Sequence, residues 1–229
     1  MTLRTFVVCG LFVAFTLGLD AQGLSRYRNF ELGSPVASIV ASTGAAPSDV
    51  KIVHARPALM QDLQWRPSRW TSGSVESSTD PVTEILFSFY DNQLFRMVVD
   101  YGYDRTEGMT DADMVQAISE VYGTSDKRSP APVRAVSQVD REAGSLVSRW
   151  GNAEQVVALY RTSSYRPSFR LIVTAQALDD LARKATTQAL RLDAQEAPAR
   201  EDARQKKEQE DSRAAAEKAR TANKGAFRP

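Results

Sequence analysis

Two neighbouring apolar runs, residues 84–90 and 94–101, constrain the fold of this chain more than any other feature. β-Branched and aromatic residues dominate both runs, and a short polar segment separates them, which is the pattern of a β-hairpin. Apolar side chains fall on both faces of each run. The hairpin is therefore expected in the interior of a sheet whose two faces are both covered.

The length of the hairpin turn decides which side chains share a face. A two-residue turn at Asp91-Asn92 would place Phe89 opposite Leu94, and Asp and Asn both tolerate the positive φ of a type I′ turn. A three-residue turn that includes Gln93 sorts the apolar residues better. It would gather one apolar face from Ile85, Phe87, Phe89, Phe95, Met97, Val99 and Tyr101. A slip of one residue exchanges the two faces, so both registers stay open.

The second apolar run has a later counterpart. Residues 168–173 (Ser-Phe-Arg-Leu-Ile-Val) echo residues 94–99 (Leu-Phe-Arg-Met-Val-Val), 74 positions earlier. Gly33 and Gly108, each before a capped helix, are 75 positions apart. One interpretation is a duplicated α-β-β-β unit, because self-similarity at a fixed spacing indicates repeated units. The other interpretation is that unrelated strands reuse Val, Ile and Phe.

Local signals place the remaining elements. Ser34 and Pro35 are expected to cap and begin a first short helix. Thr110 and Asp113 predict a capping box for a second helix over residues 111–122. Further strands are predicted around residues 49–54, 62–65, 146–150, 155–161 and 168–174. The predicted class is α+β, with antiparallel strands, short helices and a long C-terminal helix.

The second helix opening also carries a family resemblance. Gly108-Met109-Thr110-Asp111-Ala112-Asp113-Met114 resembles the Gly-Met-Thr-x-x-x-Val opening of small outer-membrane assembly lipoproteins of the SmpA/OmlA (BamE) kind, with Met114 in place of Val. Two such units in tandem are similar to the architecture of the β-lactamase inhibitory protein. The resemblance covers at most residues 30–175. The chain lacks the lipobox cysteine of the first group and the disulfide cysteines of the second, and no inhibitory residue carries over by motif.

The first residues are typical of a signal peptide. Arg4 supplies a positive start, and the apolar run over residues 6–19 is shorter than the roughly 20 residues that span a bilayer. We expect cleavage after Ala21 or after Gly18, export to the periplasm or to the outside of the cell, and no membrane span once the leader is removed. Cys9, the only cysteine, lies in the apolar run, so the mature protein would contain no disulfide.

These signals divide the chain into successive segments. They are a signal peptide (1–21), a first α/β half (22–123), a second sheet portion (124–175, with 108–175 as the second repeat unit if the duplication holds), a packed C-terminal helix (176–197) and a charged tail (198–229). The tail has no large apolar residue before Phe227. It is therefore expected to be either a solvated helix or disordered.

Composition argues against several functional classes. The net charge is +1, so no overall field would attract nucleic acid. His54 is the only histidine and lies in a strand-like run, where a structural role is expected. The sequence shows no zinc motif, no histidine-based nucleophilic triad and no glycine-rich phosphate loop. We predict no catalytic, cofactor-binding or metal-binding residues, and no cofactor.

A stretch rich in tryptophan and arginine before the hairpin is a candidate interface. It contains Trp65, Arg66, Arg69 and Trp70. Trp and Arg are the residues that most often anchor protein interfaces, and Arg can stack on Trp. The alternative is core packing of one Trp, with the other at the edge of the loop.

An acidic stretch after the hairpin includes Asp104 and Glu107. Paired carboxylates can act as acid and base or hold a hard cation, but acidic residues also border turns and helix starts. The favoured prediction is an exported non-enzymatic protein that binds an unidentified protein or an envelope component. The alternatives are a carboxylate-dependent enzyme and a structural protein that oligomerises through its C-terminal helix.

Overall fold

The computed structural model describes residues 23–67, 80–125, 143–162, 168–226 and 228. These ranges contain runs of antiparallel strands separated by short helices, followed by one long helix, so the predicted α+β class is confirmed. In chain order they are β1 (Arg26–Tyr27), β2 (Phe30–Glu31), α1 (Val36–Thr43), β3 (Lys51–His54), β4 (Met60–Trp65), β5 (Val82–Tyr90), β6 (Gln93–Tyr101), α2 (Tyr103–Thr106), α3 (Asp111–Tyr122), β7 (Ser145–Gly151), β8 (Gln155–Arg161), β9 (Phe169–Ala175) and α4 (Gln176–Ala226). A 3₁₀ turn at Pro47–Asp49 precedes β3.

Seven strands form one antiparallel sheet in the order β3-β4-β5-β6-β9-β8-β7, and β1 pairs with β2 separately. The strands that echo each other in sequence, β6 and β9, are adjacent at its centre. Val98 lies opposite Ile172, its counterpart 74 positions later. Outward from this pair, the β6 side continues with β5, β4 and the additional strand β3, and the β9 side continues with β8 and β7.

The hairpin combines features of both predicted registers. Residues 91 and 92 have positive φ angles of 44° and 67°, and Phe89 pairs with Leu94, as a two-residue turn requires. A β-bulge then inserts Phe95 as an extra residue in β6. Beyond the bulge, β6 follows the alignment of the three-residue turn, so the apolar side chains predicted to share a face do so. Phe95 is the exception and lies on the other face. The grouped pairs are Ile85 with Val99 and Phe87 with Met97.

Both faces of the sheet are covered, as predicted for the hairpin. Helices α1 and α3 cover one face, where buried Ile39, Met114 and Ile118 join the main core. The first turns of α4 cover part of the other face. There, Leu178 and Ala182 pack with Met60, Tyr90 and Phe95.

The N-terminal cap of α1 differs from the prediction. Ser34 is not the cap, because the helix begins at Val36 and the extended Pro35 occupies the cap position. Pro35 forms a β-bridge with Gln93, and the Val36 N–H donates to Asn92 Oδ1 at 3.2 Å. A residue of the hairpin turn therefore satisfies the helix N-terminus from 56 positions away.

The capping box of α3 is confirmed. The Asp113 N–H donates to Thr110 Oγ1 at 3.2 Å, and the Thr110 N–H donates to Asp113 Oδ2 at 2.8 Å. The Thr110 N–H and the Thr110 hydroxyl both donate to the ionised carboxylate, and these two hydrogen bonds hold the pKa of Asp113 below its usual range. The box thus fixes where α3 starts.

We expect Thr110→Ala to lower the free energy of unfolding by about 1 kcal/mol, because the Asp113 N–H loses its acceptor. Urea denaturation followed by circular dichroism measures the change. Thr110→Ser retains the hydroxyl and should stay close to the unchanged protein. Equal losses in the two variants would show that the methyl group, and not the cap, stabilises this helix start.

Helix α4 continues without interruption past the predicted boundary at residue 198, with Pro198 inside it. Arg56 forms an ion pair with Glu196 and so ties the helix to the segment after β3. From residue 197 to residue 225 every side chain is exposed. Ion pairs such as Arg204 with Glu201 lie within the helix itself. This part of α4 matches the solvated-helix interpretation of the tail.

Candidate functional site

The predicted tryptophan–arginine site is only partly brought together. Trp65 ends β4 and is partly buried; its indole N–H donates to the Thr43 carbonyl oxygen at 3.1 Å, and its ring packs edge-on against Phe30. Arg66 is exposed, and its Nε donates to Glu84 Oε2 at 2.8 Å. Two members of the site lie outside the described residues: Arg69 and Trp70. Trp65 thus contributes to the edge of the core, and Arg66 faces solvent.

The carboxylates of the acidic stretch do not form a cluster, because most of them bind different partners. Asp104 is exposed on α2, and Glu107, just after α2, accepts a hydrogen bond from the Tyr103 hydroxyl at 3.1 Å. Its neighbours bind elsewhere: Asp100 to Arg170, Asp111 to Arg161 and Asp113 to Thr110. Within the described ranges, no group of three or more His, Cys, Asp or Glu side chains is placed to hold a metal ion.

A cavity of about 480 Å³ lies at one end of the sheet, beside α2 and α3. We call it the tyrosine pocket. Its walls come from five separate parts of the chain, because the β1–β2 turn, the start of β5, the end of β6, the segment from α2 to α3, and β9 meet there. The lining residues are Tyr27, Arg28, Pro81, Tyr101, Arg105, Thr106, Met109, Met114, Ala117, Ile118, Val121, Tyr122 and Leu171. Most of this lining is apolar or aromatic, which is typical of small-molecule sites.

Three tyrosine hydroxyls lie at the pocket. The Tyr122 hydroxyl donates to the Arg26 carbonyl oxygen at 2.8 Å. The hydroxyl oxygens of Tyr27 and Tyr101 are 3.5 Å apart, and either one can be the donor. One shared hydrogen bond uses only one of these two hydroxyl hydrogens, so the other can be donated to a ligand.

Burial further favours the protonated form of these phenols. It raises the pKa of Tyr27 and of Tyr122, and it raises the pKa of Tyr101 well above the ordinary value. The nearby Tyr27 hydroxyl adds to the effect at Tyr101, because a second phenolate beside the first would be repelled. At neutral pH the three side chains are therefore neutral hydrogen-bonding groups.

Two arginines are the charged residues of this lining. The Arg28 guanidinium donates to both oxygens of Asp80, at 2.9 Å and 2.7 Å, and holds the pKa of that carboxyl below its usual range. Arg28 also lies over the Tyr27 ring, 5.5 Å from its centroid. Arg105 is exposed on α2 and forms no ion pair with any residue in the described part of the chain. The pocket therefore has one neutralised and one uncompensated cation.

Sequence reasoning did not identify the tyrosine pocket. Tyr27, Tyr101 and Tyr122 are separated by long stretches of chain, and no motif links them. The helix opening that carried the family resemblance does contribute Met109 and Met114 to the lining. Methionine adapts its shape readily to different apolar ligands. The sequence pattern of residues 108–114 thus predicted the start of α3 correctly but did not indicate the cavity beside it.

The helices in the described ranges were also compared with the requirements of a membrane span, and none is both long enough and apolar enough. Comparison of the chain with family models, with curated proteins and with solved structures found no match in any of the three.

Proposed function

We propose that the protein is an exported, non-enzymatic binding module and that the tyrosine pocket holds a component of the cell envelope. The observation that carries this proposal is the lining itself, in which apolar and aromatic walls surround a few hydroxyl and guanidinium groups. A cavity of about 480 Å³ falls in the range of roughly 300–1,000 Å³ that is usual for small-molecule pockets. Export is inferred from the sequence pattern of residues 1–21, which lie outside the described residues.

The chemistry of the pocket favours binding over catalysis. The described lining residues include no Asp, Glu, His, Cys or Lys that could act as a general base. Thr106 Oγ1 already donates to the Gly102 carbonyl oxygen at 3.0 Å. The tyrosines stay protonated at neutral pH, and arginine does not lose its proton in proteins. These groups can hold and orient a ligand, but they are poorly suited to proton abstraction.

The proposal includes an internal duplication of an α-β-β-β unit. Trp65 and Trp150 support it, because each indole N–H donates to the helix that begins its own half. Trp65 donates to Thr43 in α1, and Trp150 donates to Ser119 in α3 at 3.1 Å. The two tryptophans also hold matching register positions in their strand pairs, opposite Ile85 and Val157. This agreement supports the tandem resemblance to the β-lactamase inhibitory protein as a matter of architecture only.

The binding proposal is tested by titrating the full chain with N-phenyl-1-naphthylamine, a neutral dye whose fluorescence rises in apolar surroundings. We expect saturable binding, and its loss in Ala117→Trp, because Ala117 is exposed and lines the pocket, so that a Trp there would occupy its opening. Ala112→Trp is the matched control, since Ala112 is exposed on the same helix outside the lining.

The control should bind the dye like the unchanged protein, and far-ultraviolet circular dichroism should show that both variants fold. Equal dye binding by Ala117→Trp and the unchanged protein would place the binding surface elsewhere and contradict the proposal. Absence of dye binding by the unchanged protein would contradict it as well.

A further inference from the structure

The tyrosine pocket is polarised from its floor to its opening. Met114 and Ile118, which are 5% and 6% exposed, form an apolar floor together with Leu171. The exposed Arg105 lies at the opening. A ligand that fits both parts has an apolar body that enters first and a polar head that remains near solvent.

The polar groups of the lining also restrict the charge of that head. Its side chains offer the guanidinium groups of Arg28 and Arg105 and one uncommitted hydroxyl hydrogen of the Tyr27–Tyr101 pair. No carboxylate is among the described lining residues, so a cationic head would find no partner there. Because Asp80 already neutralises Arg28, a single positive charge, that of Arg105, is left to be matched. One negative charge is enough to match it, and a second charge on the head would gain no further cation from the described lining.

We propose that the ligand of the tyrosine pocket is a single-chain fatty carboxylate, with its chain on the apolar floor and its carboxylate at Arg105. This inference rests on the proposed binding function and names the ligand class for the same site. Binding of a phospholipid surface and binding of an apolar peptide are outcomes that the experiment below can reveal.

The test is isothermal titration of the full chain with hexanoate, octanoate and decanoate below their micelle concentrations, with decan-1-ol and decyltrimethylammonium for comparison. We expect affinity to rise by up to about fourfold for each added methylene, because each is buried on the apolar floor. Decanoate should bind about threefold to fivefold more tightly than decan-1-ol, as expected for an ion pair at an exposed arginine, and decyltrimethylammonium should bind more weakly than either.

Variants separate the head contact from the chain contact. Arg105→Gln should reduce decanoate affinity about threefold to fivefold, because solvent screens a pair at an exposed arginine, and should leave decan-1-ol affinity unchanged. Arg213→Gln, the same change at an exposed position of α4 remote in sequence, should alter neither. Ala117→Trp should abolish binding of both ligands, as it does for the neutral dye.

Two results with the monomeric ligands would overturn the ligand assignment and leave the binding function in place. One is saturable dye binding that Ala117→Trp blocks, combined with equal affinities for decanoate and decan-1-ol. The other is decanoate binding that Ala117→Trp does not affect, which would place the carboxylate outside the pocket. Binding to phosphatidylglycerol vesicles without binding of monomeric decanoate would also overturn it, in favour of a membrane surface. Failure of the dye and the carboxylates alike would overturn both proposals.

Discussion

Replacing Asp179 with alanine is expected to lower the free energy of unfolding by about 3–5 kcal/mol, the usual loss when one partner of a buried ion pair is removed. Asp179 lies in the first turn of α4 and pairs with Arg96 of β6, on the sheet face that α4 covers. The two residues are 5% and 6% exposed. The variant would leave the Arg96 guanidinium charged, without its carboxylate partner and largely shielded from solvent beneath the helix.

The surroundings of Arg96 allow only partial compensation. Within the described residues, Arg96 Nε has no hydrogen-bond acceptor even with Asp179 present. The Asp62 carboxyl also interacts with the charge of Arg96; burial raises its pKa, and a hydrogen bond from Ser88 and the charge of Arg96 oppose the rise. Asp62 can offset part of the loss, so the lower end of the range is the more realistic expectation.

The neighbouring Asp180 provides a matched control. Its carboxylate pairs with Arg183 on the same helix, but its side chain is 34% exposed. Asp180→Ala should therefore lower the free energy of unfolding by less than about 1 kcal/mol.

The double variant Arg96→Met with Asp179→Leu removes both charges of the buried pair and should recover most of the stability that Asp179→Ala loses. Urea denaturation of the three variants measures their free energies of unfolding. Equal losses for Asp179→Ala and Asp180→Ala would show that the pair beneath α4 does not hold the helix.

The elements that sequence predicted correctly are those whose signals are local. Thr110 and Asp113 cap α3 through contacts three residues apart, and apolar alternation placed the strands to within about two residues. The cap of α1 was wrong because Asn92, far along the chain, supplies it. The strands β1 and β2, of two residues each, and the four-residue α2 were missed, since such short elements carry no periodicity.

The candidate site was largely beyond sequence reasoning for the same physical reason. A cavity is defined by the space between elements, and the tyrosine pocket requires the β1–β2 turn and α3 to meet at the ends of β6 and β9. Trp65 shows the related problem for single residues. A tryptophan is equally suited to anchor an interface, as predicted from the sequence, and to donate from the edge of the core to Thr43, as observed. Only the fold distinguishes the two roles.

The second large effect is expected at Trp150, near the end of the edge strand β7. Trp150 is 1% exposed and belongs to the main core, and its indole N–H donates to Ser119 Oγ of α3 at 3.1 Å. We expect Trp150→Ala to lower the free energy of unfolding by about 3–5 kcal/mol, because the cavity it leaves lies between β7 and α3. Few other large side chains of β7 are buried, so the strand has little else with which to hold that helix.

Two further variants separate volume from hydrogen bonding at this position. Trp150→Phe keeps much of the apolar contact and should lose markedly less stability than Trp150→Ala, while Ser119→Ala removes only the acceptor and should cost about 1 kcal/mol or somewhat more. Trp65→Ala, at the matching position of the first half, should cost less than Trp150→Ala because Trp65 is only partly buried. Urea denaturation followed by far-ultraviolet circular dichroism avoids the change in tryptophan fluorescence. A loss at Trp150 no larger than that at Trp65 would show that burial at β7 does not stabilise the second half.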